Sequence, residues 1–180
     1  MFTAPTRLFL LALPIGLATP LSAQTAAPDL SDPEVAHVAV TANTIDITLA
    51  KFALTHTKNT EIRKFATTMV TDHTAVNGQA GALAAKLGVT PTDNAVSQSL
   101  LKGAAEARVS IEPLKGAAFD AAYIAREVGY HQAVLDALDG LLIPTTTNAE
   151  LKKLLVDVRP AIAAHLEHAK MIKAALGKVN

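Results

Sequence analysis

The chain has 180 residues, half of them hydrophobic, with sixteen basic against sixteen acidic side chains, six histidines, no tryptophan and no cysteine. Balanced charge offers nucleic acid and anionic membrane nothing to hold, and the lack of cysteine excludes both a disulfide and a lipid anchor on an N-terminal cysteine. The apolar residues are mainly Ala, Leu, Val and Ile, a supply that suits closely packed helices in one domain.

Arg7, the apolar run over residues 8–17 and the small-residue exit at Ser22-Ala23 predict a secretory signal peptide over residues 1–23. The run is too short to span a bilayer stably, so the mature chain is expected in the periplasm with no transmembrane segment. Leu21 stands where a small residue is preferred, which leaves the cleaved bond anywhere from Ala23 to Ala27. Residues 24–31 read as a disordered lead.

Asp32-Pro33-Glu34 supplies an N-cap, a first-turn proline and an acid at the positive end of a first helix, which runs to about residue 57. Its seam is Val35, Val38, Ala42, Ile45, Leu49 and Phe52. Asn59 caps a second helix with Ile62, Ala66, Met69, His73, Val76, Ala80, Leu83 and Leu87 on one seam, and Gly88 ends it. A loop with Pro91 leads to a shorter helix over residues 95–111, terminated by Pro113 and Gly116, which reads as a crossover. The fourth helix is expected over residues 117–142, with Asp120, Ile124, Glu127, His131, Val134, Leu138 and Leu141 aligned. Asn148 caps the last helix, whose seam Leu151, Leu155, Val158, Ile162, His165, Ala169, Ile172 and Leu176 precedes Gly177; Pro160 should kink it without ending it. No strand-like alternation interrupts this pattern. The expected fold is all-α, an antiparallel four-helix bundle over residues 32–177 with a short crossover helix.

His73, His131 and His165 each fall near the midpoint of a helix. At about 1.5 Å of rise per residue they lie within a turn or two of one level, whichever way the chain is threaded. Ferritin-type threading tightens the match and brings Asp46, Met69 and Glu127 to within a turn of that level. Buried imidazoles need partners for both ring nitrogens, and a cluster lets them serve one another. Three readings follow: a hydrogen-bonded layer that fixes register, a site for one zinc, copper or iron ion, or a proton-transfer site.

Other features are read more plainly. Glu34 and His37 have the Glu-x-x-His spacing of di-iron bundles but sit in a first turn that is expected to be solvated. His56 is placed to cap the end of the first helix. His165, His168 and Met171, spaced by three, could hold copper only if His168 turned inward. Gly78, Gly81 and Gly129 are read as allowing close helix approach. No nucleophile motif, phosphate loop or dinucleotide fingerprint occurs.

Ala66, Met69, Val70, Asp72 and His73, then Phe119-Asp120 with Tyr123, then His131, Pro160 and His165-Leu166, resemble a bacterial exported family of unknown function, often labelled as outer-membrane proteins. The resemblance covers residues 32–176 and implies a ferritin-like helical bundle. That family usually carries Glu where this chain has Asp46, which keeps a carboxylate facing the layer. The ferritin likeness does not extend to iron oxidation, because the Glu and Glu-x-x-His set of a di-iron centre is missing. The resulting expectation is a non-enzymatic periplasmic binding or stress-related protein whose metal ligands are His73, His131, His165, Asp46 and Glu127, with a protein or small-ligand partner left open. The competing expectations are a metal-dependent oxidoreductase or hydrolase at the same site, with Glu127 or Asp46 as base, and a structural or chaperone-like bundle.

Overall fold

The computed structural model describes residues 29–178, so the signal peptide over residues 1–23 and most of the lead lie outside the described residues. Among the described residues every regular element is helical. The first helix, α1 (Asp32–His56), is capped by Ser31 and not by Asp32, because Glu34 reaches back to accept from the Ser31 backbone N–H at 2.9 Å and its hydroxyl at 2.6 Å. Asp32 serves a different purpose. Its carboxylate accepts from Thr147 N at 2.8 Å, Thr147 Oγ1 at 2.6 Å and Asn148 N at 2.9 Å, which staples the start of α1 to a distant loop. Leu30, at the end of the segment expected as lead, is buried in the core.

Three asparagines start helices, Asn59 and Asn148 as expected and Asn94 in addition. Asn59, Asn94 and Asn148 each accept, through the side-chain oxygen, from the backbone N–H groups two and three residues on, opening α2 (Thr60–Leu87), α3 (Ala95–Ile111) and α6 (Ala149–Leu176). Gly88, at φ 64°, ends α2 in the left-handed conformation. Through Pro160 the helix α6 continues unbroken; Val156, whose carbonyl loses its N–H partner there, is exposed and can meet water.

The fourth helix departs from the sequence expectation. Regular α-geometry in α4 (Gly116–Ala137) gives way to a π-helical turn, Leu138–Leu142, followed by the single turn α5 (Ile143–Thr145). A wider turn carries more residues, so Leu138 and Leu142, four apart, both point inward and Leu141 is left half-buried. The α-helical seam through Leu138 and Leu141 fails at this point for that reason.

Packing pairs α1 with α2 and α4 with α6, while contacts of α2 with α6 and of α1 with α4 join the pairs; α3 lies against α1 and touches α4. The core divides into two apolar clusters. One gathers Phe52, Phe65, Met69, Phe119, Tyr123 and Ile172, and the other Val35, Val38, Leu138, Leu142, Leu155 and Ile162. Along α1 and α4 the polar layer falls in sequence between these two sets. Gly78, Gly81 and Gly129 do not mark close helix approaches: a Cβ added at any of them would meet nothing within 4 Å. Among the described residues no helix is long and apolar enough to cross a membrane.

Candidate metal centre

Four helices each deliver part of the layer. On α1, Asn43 and Asp46 are three apart and share a face; on α4, Glu127 and His131 are four apart and do the same; α2 supplies His73 and α6 supplies His165. Asp46 and Glu127 are wholly buried, and His73, His131 and His165 are nearly so. The three imidazole centroids form a near-equilateral triangle, with sides of 5.8 Å (His73 to His131), 5.3 Å (His73 to His165) and 5.6 Å (His131 to His165). One nitrogen from each ring lies within 4.8 Å of the other two. His131 also belongs to a second such group, with Asp46 and Glu127. All five residues predicted from sequence therefore come together.

The hydrogen bonds fix which nitrogen faces inward. His73 Nδ1 donates to Asn43 Oδ1 at 2.7 Å, His131 Nδ1 to the Glu127 carbonyl at 3.0 Å, and His165 Nε2 to Asp72 Oδ2 at 2.9 Å. These acceptors carry no hydrogen, so each imidazole directs an N–H outward and its second nitrogen into the layer. The inward atoms, His73 Nε2, His131 Nε2 and His165 Nδ1, are buried with no hydrogen-bond partner, as are both oxygens of Asp46. Asp46 Oδ2 nevertheless stands 2.8 Å from His73 Nε2 and 3.3 Å from His131 Nε2. Ring nitrogens this close to a buried anion need a positive charge between them, a proton or a metal ion.

Charge in the layer is sorted among its members. Burial lowers the His131 imidazole to about 4, although the Asp46 charge works in the opposite direction, so this ring is neutral. Burial likewise lowers His165, against the pull of Asp72. Desolvation pushes Asp46 upward, but the hydrogen bond and charge of His73, with His131 and Arg126 behind, outweigh it and hold the carboxyl below its ordinary range. Glu127 moves the other way, raised well above a normal carboxyl by burial and then by the Asp46 charge, even with Arg126 Nη1 at 2.9 Å from Oε1. The two buried carboxyls are thus pushed apart, Glu127 toward its neutral form and Asp46 toward the anion. Tyr123, also buried, keeps its phenol proton because burial and the charges of Glu127 and Asp46 oppose its loss.

The donor set fits a transition metal: neutral imidazole nitrogens oriented by outer hydrogen bonds, one carboxylate, and apolar walls. His73, His131, His165 and Asp46 would hold the ion, which would supply the positive charge that joins their lone pairs.

Sequence reasoning did not find Asn43, Asp72 as a partner of His165, or Arg126. Asn43 was detectable in principle, because it stands three residues before Asp46 on the same helix face and a buried histidine requires an acceptor. The other histidines lie outside the layer. His37 is half-buried and not solvated as expected, with Nδ1 2.7 Å from Ser97 Oγ on α3, and Glu34 is occupied by Ser31. His56 binds the Phe52 carbonyl at 3.0 Å near the end of α1, as expected of a capping residue. His168 is half-buried with its ring edge-on to Phe65, and Met171 is 64% exposed, so no copper site forms there.

Fold and site together define an all-helical protein with a buried histidine–carboxylate centre. A family model described as a domain of unknown function, DUF4142, matches residues 17–172, and the chain belongs to that family. Among solved structures the chain is similar to one titled "CopM in the Cu(II)-bound form", with a TM-score of 0.62 and 14% sequence identity, over 82% of this chain and 99% of that one. No curated protein matches the chain.

Proposed function

We propose that this protein is an exported, periplasmic, ferritin-like antiparallel four-helix bundle that binds one transition-metal ion through His73, His131, His165 and Asp46, with Glu127 as the adjoining protonated carboxyl. One observation carries the reading: three buried imidazoles, clustered within ligand distance of one another, each give an N–H to an outside acceptor and keep an unpartnered nitrogen, and those of His73 and His131 face the Asp46 carboxylate. A layer built only to fix helix register would pair those nitrogens with donors. Nitrogen and oxygen donors of this kind suit copper, zinc and iron, and the likeness to a protein solved with Cu(II) puts copper first. The role is binding and not turnover, since three nitrogens and one carboxylate fill a four-coordinate ion.

The test is elemental analysis of untagged protein purified from the periplasm, beside the triple variant His73→Ala, His131→Ala, His165→Ala. About one ion per parent chain and none in the variant is the expected result for a four-ligand site. A parent that stays metal-free after loading with copper, zinc and iron would overturn the reading.

A further inference from the structure

Beside the layer, toward the end of the molecule where α6 starts, α2 and α6 stand apart around a cavity of about 430 Å³. Its size falls within the roughly 300–1,000 Å³ of small-molecule pockets. The seam of α2 explains why it exists. Apolar residues continue along that seam to Leu87, yet burial stops at His73: Val76, Ala80, Leu83 and Leu87 are all only half-buried and all line the cavity. Across from them the wall includes Leu138 and Leu142 of the π-helical turn, a feature found often at binding sites.

One polar group in the wall has an unmet need. Asn77 Nδ2 donates to Thr44 Oγ1 at 3.2 Å, but Asn77 Oδ1 is buried with no hydrogen-bond partner. A buried amide oxygen without a donor is costly, and a ligand that brings one recovers that cost. The other amides bordering the cavity already use their oxygens, Asn43 on His73 and Asn148 on the first backbone N–H groups of α6.

The geometry points to a binding site for a small apolar molecule that carries a single hydroxyl or amine donor, its body between α2 and α6 and its donor on Asn77 Oδ1. This site is separate from the metal reading and survives its failure, because none of the lining atoms used in the argument is a metal ligand. An occupant here would sit against Asn43, and so one hydrogen bond from His73.

The experiment is calorimetric titration of the mature protein with 2-naphthol and with its methyl ether, 2-methoxynaphthalene, which keeps the body and lacks the donor. Binding of one 2-naphthol per chain, roughly fivefold or more tighter than the ether, is expected for one hydrogen bond to a buried acceptor. Asn77→Leu should bring the two ligands level, and Ala80→Trp, which fills the cavity, should weaken both at least tenfold while the melting temperature holds or rises. Equal affinity for naphthol and ether in the parent, or unchanged naphthol binding in Ala80→Trp, would overturn the site. A parent dimer that Ala80→Trp splits into monomers, with no naphthol bound by either, would make the cavity a contact between copies and would also overturn it. If Ala80→Trp does not fold, the Asn77→Leu comparison decides alone.

Discussion

Replacing Asn43 by leucine keeps roughly the shape of the side chain and removes the oxygen that accepts from His73 Nδ1 at 2.7 Å. In metal-free protein the buried N–H is left unpaired, at a cost of about 1–3 kcal/mol. The effect on metal is larger, because the ring loses the group that sets its tautomer and orientation, and such losses weaken affinity roughly 10–100-fold. At free metal of about 100 Kd the parent gains ~2.7 kcal/mol, which for a domain of this size raises Tm by roughly 5–11 °C. At the same free metal the variant sits at about 1–10 times its own Kd and gains only ~0.4–1.4 kcal/mol, or roughly 1–6 °C. Thermal unfolding followed by circular dichroism in metal-buffered solution reads this increment directly, and calorimetric titration reads Kd. Asn43→Asp, which restores an acceptor, should recover most of it. An increment in Asn43→Leu equal to the parent's would refute the assignment of His73 Nδ1 as donor and Nε2 as ligand.

His131→Ala should destabilise metal-free protein by about 1–3 kcal/mol, through a cavity and the unpaired Asp46 and Glu127 groups around a 1% exposed ring; chemical denaturation measures it, and an unchanged midpoint would place His131 outside the core. Burial raises the Asp32 carboxyl, but the Thr147 hydroxyl, the backbone N–H groups of Thr147 and Asn148, and Lys152 outweigh it and lower its pKa. Its stabilisation is therefore complete above the unfolded value of about 4 and is lost as pH falls through the lower folded value. Asp32→Asn should cost ~1 kcal/mol at neutral pH, kept small by solvent, and the gap to the parent should close in acid; a gap constant down to the acid limit would exclude the staple as its source. Gly129→Ala, at an exposed helical position where a Cβ meets nothing, should stabilise by about 0.5–1 kcal/mol, and a lower Tm would show a close approach at that glycine after all.

Much of the fold was legible because its punctuation is local. Asn59, Asn148 and Gly88 mark helix ends through bonds within a few residues, and the structure places ends at each of them. The end of α4 was not legible, since Leu138 to Leu142 reads equally well as α-helix and only packing selects the wider turn. Ser31 displaced Asp32 as cap for a related reason: Asp32 is claimed by Thr147, which is 115 residues away. In the layer, the residues on the helix seams were visible and their partners were not. Asn43 and Asp72 each stand one step aside from a seam, where a polar residue is ordinarily solvated, and only the neighbouring helix reveals which histidine they hold. The glycines misled because a helical glycine has the same appearance in sequence whether a neighbour approaches it or not.

The central claim is that three imidazoles and one carboxylate converge on a single ion. X-ray absorption spectroscopy of copper-loaded parent protein tests it most directly, because imidazole rings add a characteristic outer-shell scattering to the nitrogen shell. The account predicts three imidazoles at about 2.0 Å with one oxygen, falling to two in His165→Ala. A spectrum with one imidazole or none, or one that His165→Ala leaves unchanged, would contradict it.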